Sequence, residues 1–299
     1  MSTQLSAYIY HYGLKAGLPF PMLRGTAGLI DAAPRLPDYL RRKKVAQAVV
    51  AEADRSGFIP QDLACATFDS GDIPSLERLT EIGRAVYQRN KDYRETEREE
   101  MGKSPISHLI GEATREELSE IARQATNPDI AAIMCDYFGS VPRFDNADIW
   151  ISRPNKGAVG SQLFHLDKPD RRYTSIFLNL MPVAEENGPF VMLNKRDSAV
   201  VRENTAYEKI YYHRDGRLQD TEIDRLNKRD RLMALTGPAG AGGIVDTSEC
   251  LHCGSRVEKG ERVIMILSFM HAHKPGLARF DEFARDYPAD ELRRLMLSK

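Results

Sequence analysis

Apolar residues recur at helical spacing through the first half of the chain, with charged residues between them. Four segments follow this pattern and are predicted to be helices: residues 38–56, 75–97, 114–121 and 127–139. Ser75 is expected to cap the second helix. Thr114 and Glu117 have the spacing of a capping box, which is expected to start the third. Residues 1–140 are therefore predicted to form a mostly helical support region.

After Gly139 the pattern changes to short runs that are rich in β-branched and aromatic residues and bounded by Gly, Pro and Asn. Five runs are predicted to be strands: residues 147–154, 173–183, 189–193, 242–248 and 262–270. Most neighbouring runs have no helical segment between them, which argues against a doubly wound parallel sheet and favours an antiparallel sandwich or barrel. The sequence therefore predicts a mainly β core over 141–275, with an insertion at about 202–232 and a C-terminal helix or tail over 276–299.

Composition narrows the class of protein. The chain has 299 residues, of which 42% are hydrophobic and 28% charged, as is typical of a globular protein. Its formal charge of -1 gives no electrostatic support for binding to nucleic acid or to an anionic membrane. No apolar run is long enough for a membrane helix, and the N-terminus does not resemble a secretory signal. We expect a single cytoplasmic domain over residues 1–299.

His165 and Asp167 form the most informative motif, in the segment GSQLFHLDKPD just before an apolar predicted strand. In an extended chain, positions i and i+2 point to the same side, so both side chains can face one pocket. His252, in the segment ECLHCGS, supplies a second imidazole. Two histidines and one carboxylate on one face of a metal are the ligand set that suits an oxygen-activating Fe(II).

Arg262 opens the predicted strand RVIMILSFM, which follows His252. An arginine inside a barrel requires an anionic partner, because a buried unpaired guanidinium is costly and its planar fork matches a carboxylate. A dicarboxylic co-substrate such as 2-oxoglutarate could chelate iron through its keto acid end and place its far carboxylate on Arg262. Considered alone, Arg262 is also explained as an exposed charge at the start of a strand.

Together these motifs resemble the phytanoyl-CoA dioxygenase-like branch of the Fe(II)/2-oxoglutarate oxygenases. The resemblance covers roughly residues 127–270 and rests on three segments: His165-Leu166-Asp167, YTSIFLNLMPV with the following Glu186-Asn187-Gly188-Pro189, and GPAGAGGIVDTSECLHCGS with Arg262 beyond it. It implies an α+β protein with a mainly β core, a double-stranded β-helix (jelly roll, cupin-like) buttressed by N-terminal helices. It further implies His165, Asp167 and His252 as iron ligands, Arg262 for the distal carboxylate of 2-oxoglutarate, and Gln162 near that co-substrate.

The function implied by this resemblance is oxidation of an unactivated C–H bond in a small molecule, most simply hydroxylation. It would use Fe(II), 2-oxoglutarate and O2 and release succinate and CO2. Halogenation is disfavoured, because Asp167 is a carboxylate where halogenating relatives have a small residue. Desaturation, cyclisation and epimerisation stay open, as do the substrate and the oligomeric state. The alternative is a non-catalytic jelly-roll module that binds a small acid or a partner protein, and a cupin isomerase is a weaker third hypothesis.

Other reactive residue types are expected to be structural. Cys250 and Cys253 flank His252, but on a strand they point to opposite faces, and Cys65 and Cys135 are distant in sequence. Buried thiols are therefore favoured over a redox pair or a zinc site. The remaining histidines are interpreted as a polar strand end or as ordinary residues without a partner pattern: His271 with His273 in the first case, and His11, His108 and His213 in the second.

The sequence leaves open the roles of two features near the ligand motifs. Four basic residues could bind an acidic substrate or be solvated surface charges: Lys168, Arg171, Arg172 and Arg256. The insertion at 202–232 is either a lid over the site or a surface excursion.

Overall fold

The protein is described as a computed structural model over residues 35–93, 106–155, 157–158, 160–167, 172–207, 216–254, 256–272 and 279–298. Its helices are α1 (Leu36–Ala53), α2 (Ser75–Arg89), α3 (Arg115–Ala125), α4 (Pro128–Phe138), α5 (Lys195–Thr205), α6 (Asp220–Arg225) and α7 (Glu291–Leu297). Its strands are β1 (Cys65–Phe68), β2 (Ile106–His108), β3 (Arg143–Ser152), β4 (Tyr173–Asn179), β5 (Val191–Met192), β6 (Met233–Ala234), β7 (Gly242–Asp246), β8 (His252–Cys253) and β9 (Arg262–Met270).

The strands form two antiparallel sheets. The larger sheet has the order β1-β7-β4-β9-β3-β2, and the smaller has the order β6-β5-β8. The two longest strands, β3 and β9, pair over almost their whole length, with one bulge between Phe144 and Asn146. The predicted combination of helices with antiparallel sheets is confirmed.

Strand β9 shows how the larger sheet divides the molecule into a helical side and a cavity side. Every residue of β9 is buried, so both faces of the strand are covered and its sequence reads as one apolar run. Helix α2 packs closely on this sheet at Gly83, where a Cβ atom would lie 3.0 Å from Met265 Cε and 2.6 Å from Leu180 Cδ2. On the other face, Arg262, Ile266 and Ser268 line a cavity.

Helix α1 packs on the core through the partly buried Val45, Val49 and Val50, and it also buries residues that apolar periodicity does not single out. Leu40, which helical spacing would place on the same apolar side, is 54% exposed, whereas Arg42 and Ala46 are buried. The Arg42 guanidinium donates to the main-chain oxygens of Leu295 at 2.7 Å and Ser298 at 3.3 Å, at the end of α7. The last carbonyls of a helix have no partner within it, so they can receive a buried arginine. Apolar periodicity alone could not reveal this tertiary contact.

The start of α2 also differs from the prediction. Pro74 occupies the cap position, and the Ser75 hydroxyl instead donates to Asp129 Oδ1 at 2.6 Å. Ser75 thereby ties α2 to the first turn of α4. Helix α2 ends at Arg89, earlier than expected, and residues 94–105 lie outside the described residues.

The predicted capping box of α3 is confirmed. The Glu117 amide donates to the Thr114 hydroxyl at 3.2 Å, and the Thr114 amide donates to the Glu117 carboxylate at 2.9 Å. Each side chain therefore satisfies a main-chain amide at the start of the helix.

The insertion predicted at 202–232 contains the end of α5, the short helix α6 and a segment that pairs with the metal-ligand motif through Leu218. Helix α5 was not predicted; Asn194 caps it by accepting from the Asp197 amide at 2.9 Å. Residues 208–215 are outside the described part of the chain. The predicted C-terminal helix is α7, and among the described helices none is both long and apolar enough to cross a membrane.

Candidate metal centre

The three predicted ligands come together beside the smaller sheet. The main chains of His165 and His252 exchange two hydrogen bonds, of 2.9 and 3.0 Å, and the Asp167 amide donates to the Thr247 carbonyl at 2.8 Å. Asp167 carboxylate oxygens lie 3.8 Å from Nε2 of each histidine. One ligand atom from each of the three residues lies within 4.8 Å of the other two. The local strand pairing therefore brings the three groups to one point.

Main-chain carbonyls fix the orientation of both imidazoles. His165 Nδ1 lies 2.8 Å from the Leu163 carbonyl, and His252 Nδ1 lies 2.9 Å from the Cys250 carbonyl. Because a carbonyl oxygen only accepts, each Nδ1 must carry the proton and donate. Each Nε2 is then left with its lone pair directed at the common point, which is the arrangement of metal-binding histidines.

The ligand set fits a divalent transition metal. Two atoms bound to one ion at about 2.1 Å lie no more than about 4.2 Å apart, and the 3.8 Å separations between Asp167 and the histidines satisfy this limit. Burial lowers the pKa of His165 to about 3 and also lowers that of His252, so both rings are neutral near pH 7. Two neutral imidazoles and one carboxylate leave other coordination positions open.

A buried carboxylate that the sequence did not single out holds the turn leading to His252. Asp246, the last residue of β7, accepts hydrogen bonds from the Tyr137 hydroxyl at 2.8 Å and from the Ser248 hydroxyl at 2.6 Å. Burial raises the pKa of Tyr137, which keeps its hydroxyl protonated as the donor. Helix α4 thus braces the turn between β7 and β8. The sequence carries no local signal for this contact, because Tyr137 and Asp246 belong to distant segments.

Arg262 lines the same cavity, of about 290 Å³, as the three ligands. It is buried, and its Nη2 lies 3.5 Å from the Ser152 hydroxyl on the neighbouring strand. Gly254 leaves room for the guanidinium, because a Cβ atom there would lie 3.2 Å from Arg262 Nη1. Burial lowers the pKa of Arg262 to about 10, which still leaves it charged near pH 7. Arg262 is therefore a buried cation at a site accessible to a small ligand, and not the exposed charge of the alternative interpretation.

Gln162 takes a different position from the one predicted. Its amide forms two hydrogen bonds with the Asn155 amide, of 2.7 and 3.0 Å. Among the described residues that line the cavity, Gln162 does not appear. This geometry gives no support to a contact between Gln162 and a co-substrate, so that role stays a prediction.

The described basic residues near the motifs have structural partners. Arg256 makes a bidentate ion pair with Asp220, at 2.6 and 2.8 Å. Arg172 donates to the Tyr137 carbonyl and packs over the Tyr137 ring. Lys168 and Arg171 lie outside the described residues.

The larger sheet contributes a second group of polar side chains to the cavity, which we call the sheet wall: Asn146, Asp148, Ser175 and Ser268. Ser175 and Ser268 face each other on adjacent strands with their hydroxyls 3.0 Å apart. Asp148 Oδ2 lies 2.6 Å from His108 Nδ1 and accepts from Trp150 Nε1 at 2.9 Å. His108, which has no partner pattern in the sequence, therefore supports the wall through Asp148.

The sheet wall was not predicted from the sequence, although β3 carries a signal for it. Asn146, Asp148 and Trp150 stand at alternate positions, which places them on one face of the strand. The other face is formed by Ala147, Ile149 and Ile151, which are buried in the core. Two polar residues in such an alternation indicate a polar cavity rather than an apolar interior.

The cysteines are buried free thiols, as expected. Cys65, however, is not isolated: strand β1 brings it into hydrogen-bonding contact with Cys250, and this bond lowers the pKa of Cys65. Burial raises the pKa of Cys250 and of Cys253. Of the predicted pair His271 and His273, His271 packs edge-on against Phe138, while His273 is outside the described residues, as are His11 and His213.

Comparisons with known proteins give a shared fold. No family model matches the sequence, and no curated protein matches it. The structure of EctD from S. alaskensis with 2-oxoglutarate and 5-hydroxyectoine aligns over 75% of this chain and 78% of that chain, with a TM-score of 0.50 and 12% identity. At this identity the likeness shows the fold alone.

Two further solved structures align with lower scores. The non-heme alpha ketoglutarate dependent epimerase SnoN from nogalamycin biosynthesis has 16% identity and a TM-score of 0.44, over 77% of this chain and 83% of that chain. HygX from Streptomyces hygroscopicus, with nickel and 2-oxoglutarate bound, has 13% identity and a TM-score of 0.44, over 70% of this chain and 83% of that chain.

Proposed function

We propose that this protein is an Fe(II)- and 2-oxoglutarate-dependent oxygenase that oxidises a C–H bond of a small molecule. The observation that carries the proposal is one cavity that holds both the His165, Asp167 and His252 cluster and the buried cation Arg262. The fold shared with EctD, whose structure contains 2-oxoglutarate, supports it. We further propose that the two antiparallel sheets form a double-stranded β-helix within a single domain over residues 1–299.

Each residue of the cavity has a defined part in this function. His165, Asp167 and His252 would hold the iron through two Nε2 atoms and a carboxylate, and Arg262 would bind the distal carboxylate of 2-oxoglutarate. When bound, the metal and the keto acid supply oxidation by O2 with release of succinate and CO2.

Aromatic rings cover one side of the metal centre. Phe190 stacks on His252 with the ring centroids 5.1 Å apart, and Phe177 stacks on Phe190 at 3.9 Å. These rings exclude water from this side of the cavity and offer an apolar surface to the substrate body.

An anaerobic visible spectrum tests the proposal. Metal-free protein is mixed with Fe(II) and then titrated with 2-oxoglutarate, and a weak metal-to-ligand charge-transfer band is expected only when both are present. His252→Ala is expected to abolish the band. Arg262→Gln is expected to produce the band only at higher 2-oxoglutarate concentration, because the distal carboxylate loses its partner.

The alternative hypothesis gives a different result. A non-catalytic module that binds a small acid would bind 2-oxoglutarate without Fe(II), and His252→Ala would leave that binding unchanged. Absence of the band in folded wild-type protein, with succinate release at the background rate, would refute the oxygenase proposal.

A further inference from the structure

Arg217 lies beside the metal centre, on the segment that the sequence predicted only as an insertion. Phe164 and Leu218 exchange two main-chain hydrogen bonds, of 3.1 and 2.8 Å, in antiparallel orientation. One position further along this register, Arg217 stands opposite His165. Opposed residues on antiparallel segments point to the same side. Phe164 and Leu218 share one small apolar cluster, so Arg217 and His165 point to the other side, where the metal centre lies.

A buried tyrosine fixes the distance between the two segments. The Tyr207 hydroxyl accepts from the Leu166 amide at 3.0 Å and donates to the Gly216 carbonyl at 2.7 Å. In a regular antiparallel pair the Leu166 amide would donate directly to the Gly216 carbonyl, and here the Tyr207 hydroxyl lies between these two groups. The main chain on either side of Arg217 is therefore fixed to the ligand motif.

One donor of the Arg217 guanidinium is left without an acceptor. Arg217 Nη1 is buried and has no hydrogen-bond acceptor. Within the described part of the chain, Arg217 makes no hydrogen bond or ion pair. A buried guanidinium nitrogen without an acceptor is costly, and a ligand oxygen beside the metal centre would supply the acceptor.

Charge balance indicates what kind of ligand this is, and this step rests on the proposed function. The two charges of Fe(II) are balanced by Asp167 and by the keto acid carboxylate of 2-oxoglutarate. The distal carboxylate is balanced by Arg262. The positive charge of Arg217 is then left without a counter-charge beside the metal, and a second anion is the simplest group to supply one.

We propose that Arg217 binds a carboxylate next to the metal centre and that the substrate is a small organic acid. The neighbouring cavity, of about 290 Å³ and lined in part by Trp150, Phe177 and Phe190 but not by Arg217, has room for the apolar body of such an acid. The same chemistry has a second source, because the carboxylate could be the one next to the keto group of 2-oxoglutarate. The experiment distinguishes the two sources.

The test uses benzoate and its neutral counterpart benzamide as probes. Both are titrated by calorimetry into full-length protein loaded with Ni(II) and saturating 2-oxoglutarate, so that Arg262 is occupied and no turnover occurs. Arg217→Gln is expected to weaken benzoate binding at least about tenfold and to leave benzamide binding unchanged. Arg217→Lys is expected to retain part of the benzoate affinity. The matched control is Arg225→Gln, which removes the same charge from an exposed position of α6.

A parallel titration of 2-oxoglutarate into the Ni(II) protein assigns the source of the carboxylate. If Arg217→Gln weakens benzoate binding and not 2-oxoglutarate binding, the substrate supplies the carboxylate. If it weakens 2-oxoglutarate binding about tenfold instead, the co-substrate supplies it. If Arg217→Gln and Arg217→Lys both bind the two anions as wild type does, the proposal is wrong.

Failure of the proposed function would look different. In that case wild-type protein shows no charge-transfer band with Fe(II) and 2-oxoglutarate. The role of Arg217 can still be measured then, by titrating benzoate into metal-free Arg262→Gln protein with and without Arg217→Gln. Loss of benzoate binding on removal of Arg217 would support the anion site, and equal binding would overturn it.

Discussion

At the metal centre, main-chain atoms hold the functional side chains, whereas in the sheet wall side chains from different strands hold one another. His165 and His252 each donate Nδ1–H to the carbonyl of the residue two positions earlier. Asp148 instead depends on His108 from the neighbouring strand, and Ser175 depends on Ser268. The first kind of contact is local in sequence and the second is not.

This difference separates the two parts of the cavity in function as well as in construction. Main-chain carbonyls persist whatever the side chains are, so the metal centre can stay constant while the wall changes. The wall is set by individual side chains, each of which can be replaced without moving a metal ligand. We therefore expect variants of the metal centre to affect metal and co-substrate, and variants of the wall to affect stability and substrate choice.

The largest effect is expected for His165→Ala. The variant leaves two of the three proposed metal ligands, and we expect the affinity for Fe(II) to fall by more than about 100-fold, beyond the loss typical of an outer hydrogen-bond partner. His108→Ala is the matched control, because it removes an imidazole that contacts Asp148 of the sheet wall and is not a proposed metal ligand. Metal titration by calorimetry measures both variants. Equal losses of metal affinity would show that the two parts of the cavity are not separate.

A smaller effect is expected for Gly254→Val, which fills the space beside the Arg262 guanidinium. The dissociation constant of 2-oxoglutarate is expected to rise about tenfold, because the guanidinium would shift from the position in which we propose that it binds the distal carboxylate. Metal affinity is expected to stay within about twofold of wild type. Gly111→Ala is the control, since a Cβ atom there meets nothing within 4 Å. Unchanged 2-oxoglutarate affinity in Gly254→Val would contradict the position assigned to the distal carboxylate.

The same difference between local and distant contacts explains what the sequence could predict. The motif His165-x-Asp167 and the strand that starts at Arg262 are contiguous, and the apolar run that predicted β9 matches its observed bounds, Arg262–Met270. Arg217, by contrast, is brought to the metal centre by the pairing of Leu218 with Phe164, across a charged stretch with no apolar periodicity. Asp148 has its partner 40 residues away in the chain. Spacing rules describe neighbours in sequence, so contacts made only by the fold escape them.

Asp148→Asn is expected to lower the stability of the protein without changing the binding of metal or 2-oxoglutarate. Replacing the carboxylate weakens hydrogen bonds to a partly buried charged group, and we expect a loss of about 1.5 to 3 kcal/mol in the free energy of unfolding. Affinities for metal and 2-oxoglutarate are expected to stay within about twofold. Urea denaturation measures the free energy of unfolding, and calorimetry measures the affinities for metal and 2-oxoglutarate. The exposed residue Asp230 provides a control, since Asp230→Asn should change stability by no more than about 0.5 kcal/mol.

The smallest effect is expected for the hydroxyl pair of the wall. Ser175→Ala removes one side of the 3.0 Å contact with Ser268, and we expect a loss of about 1 kcal/mol in the free energy of unfolding. The double variant Ser175→Ala, Ser268→Ala should lose less than the sum of the single variants, because no hydroxyl of the pair is then left without its partner. Urea denaturation of all four proteins completes the cycle. If the two losses in the free energy of unfolding are strictly additive, the two hydroxyls act independently. A loss of metal affinity in any of these variants would show that the sheet wall and the metal centre are energetically coupled.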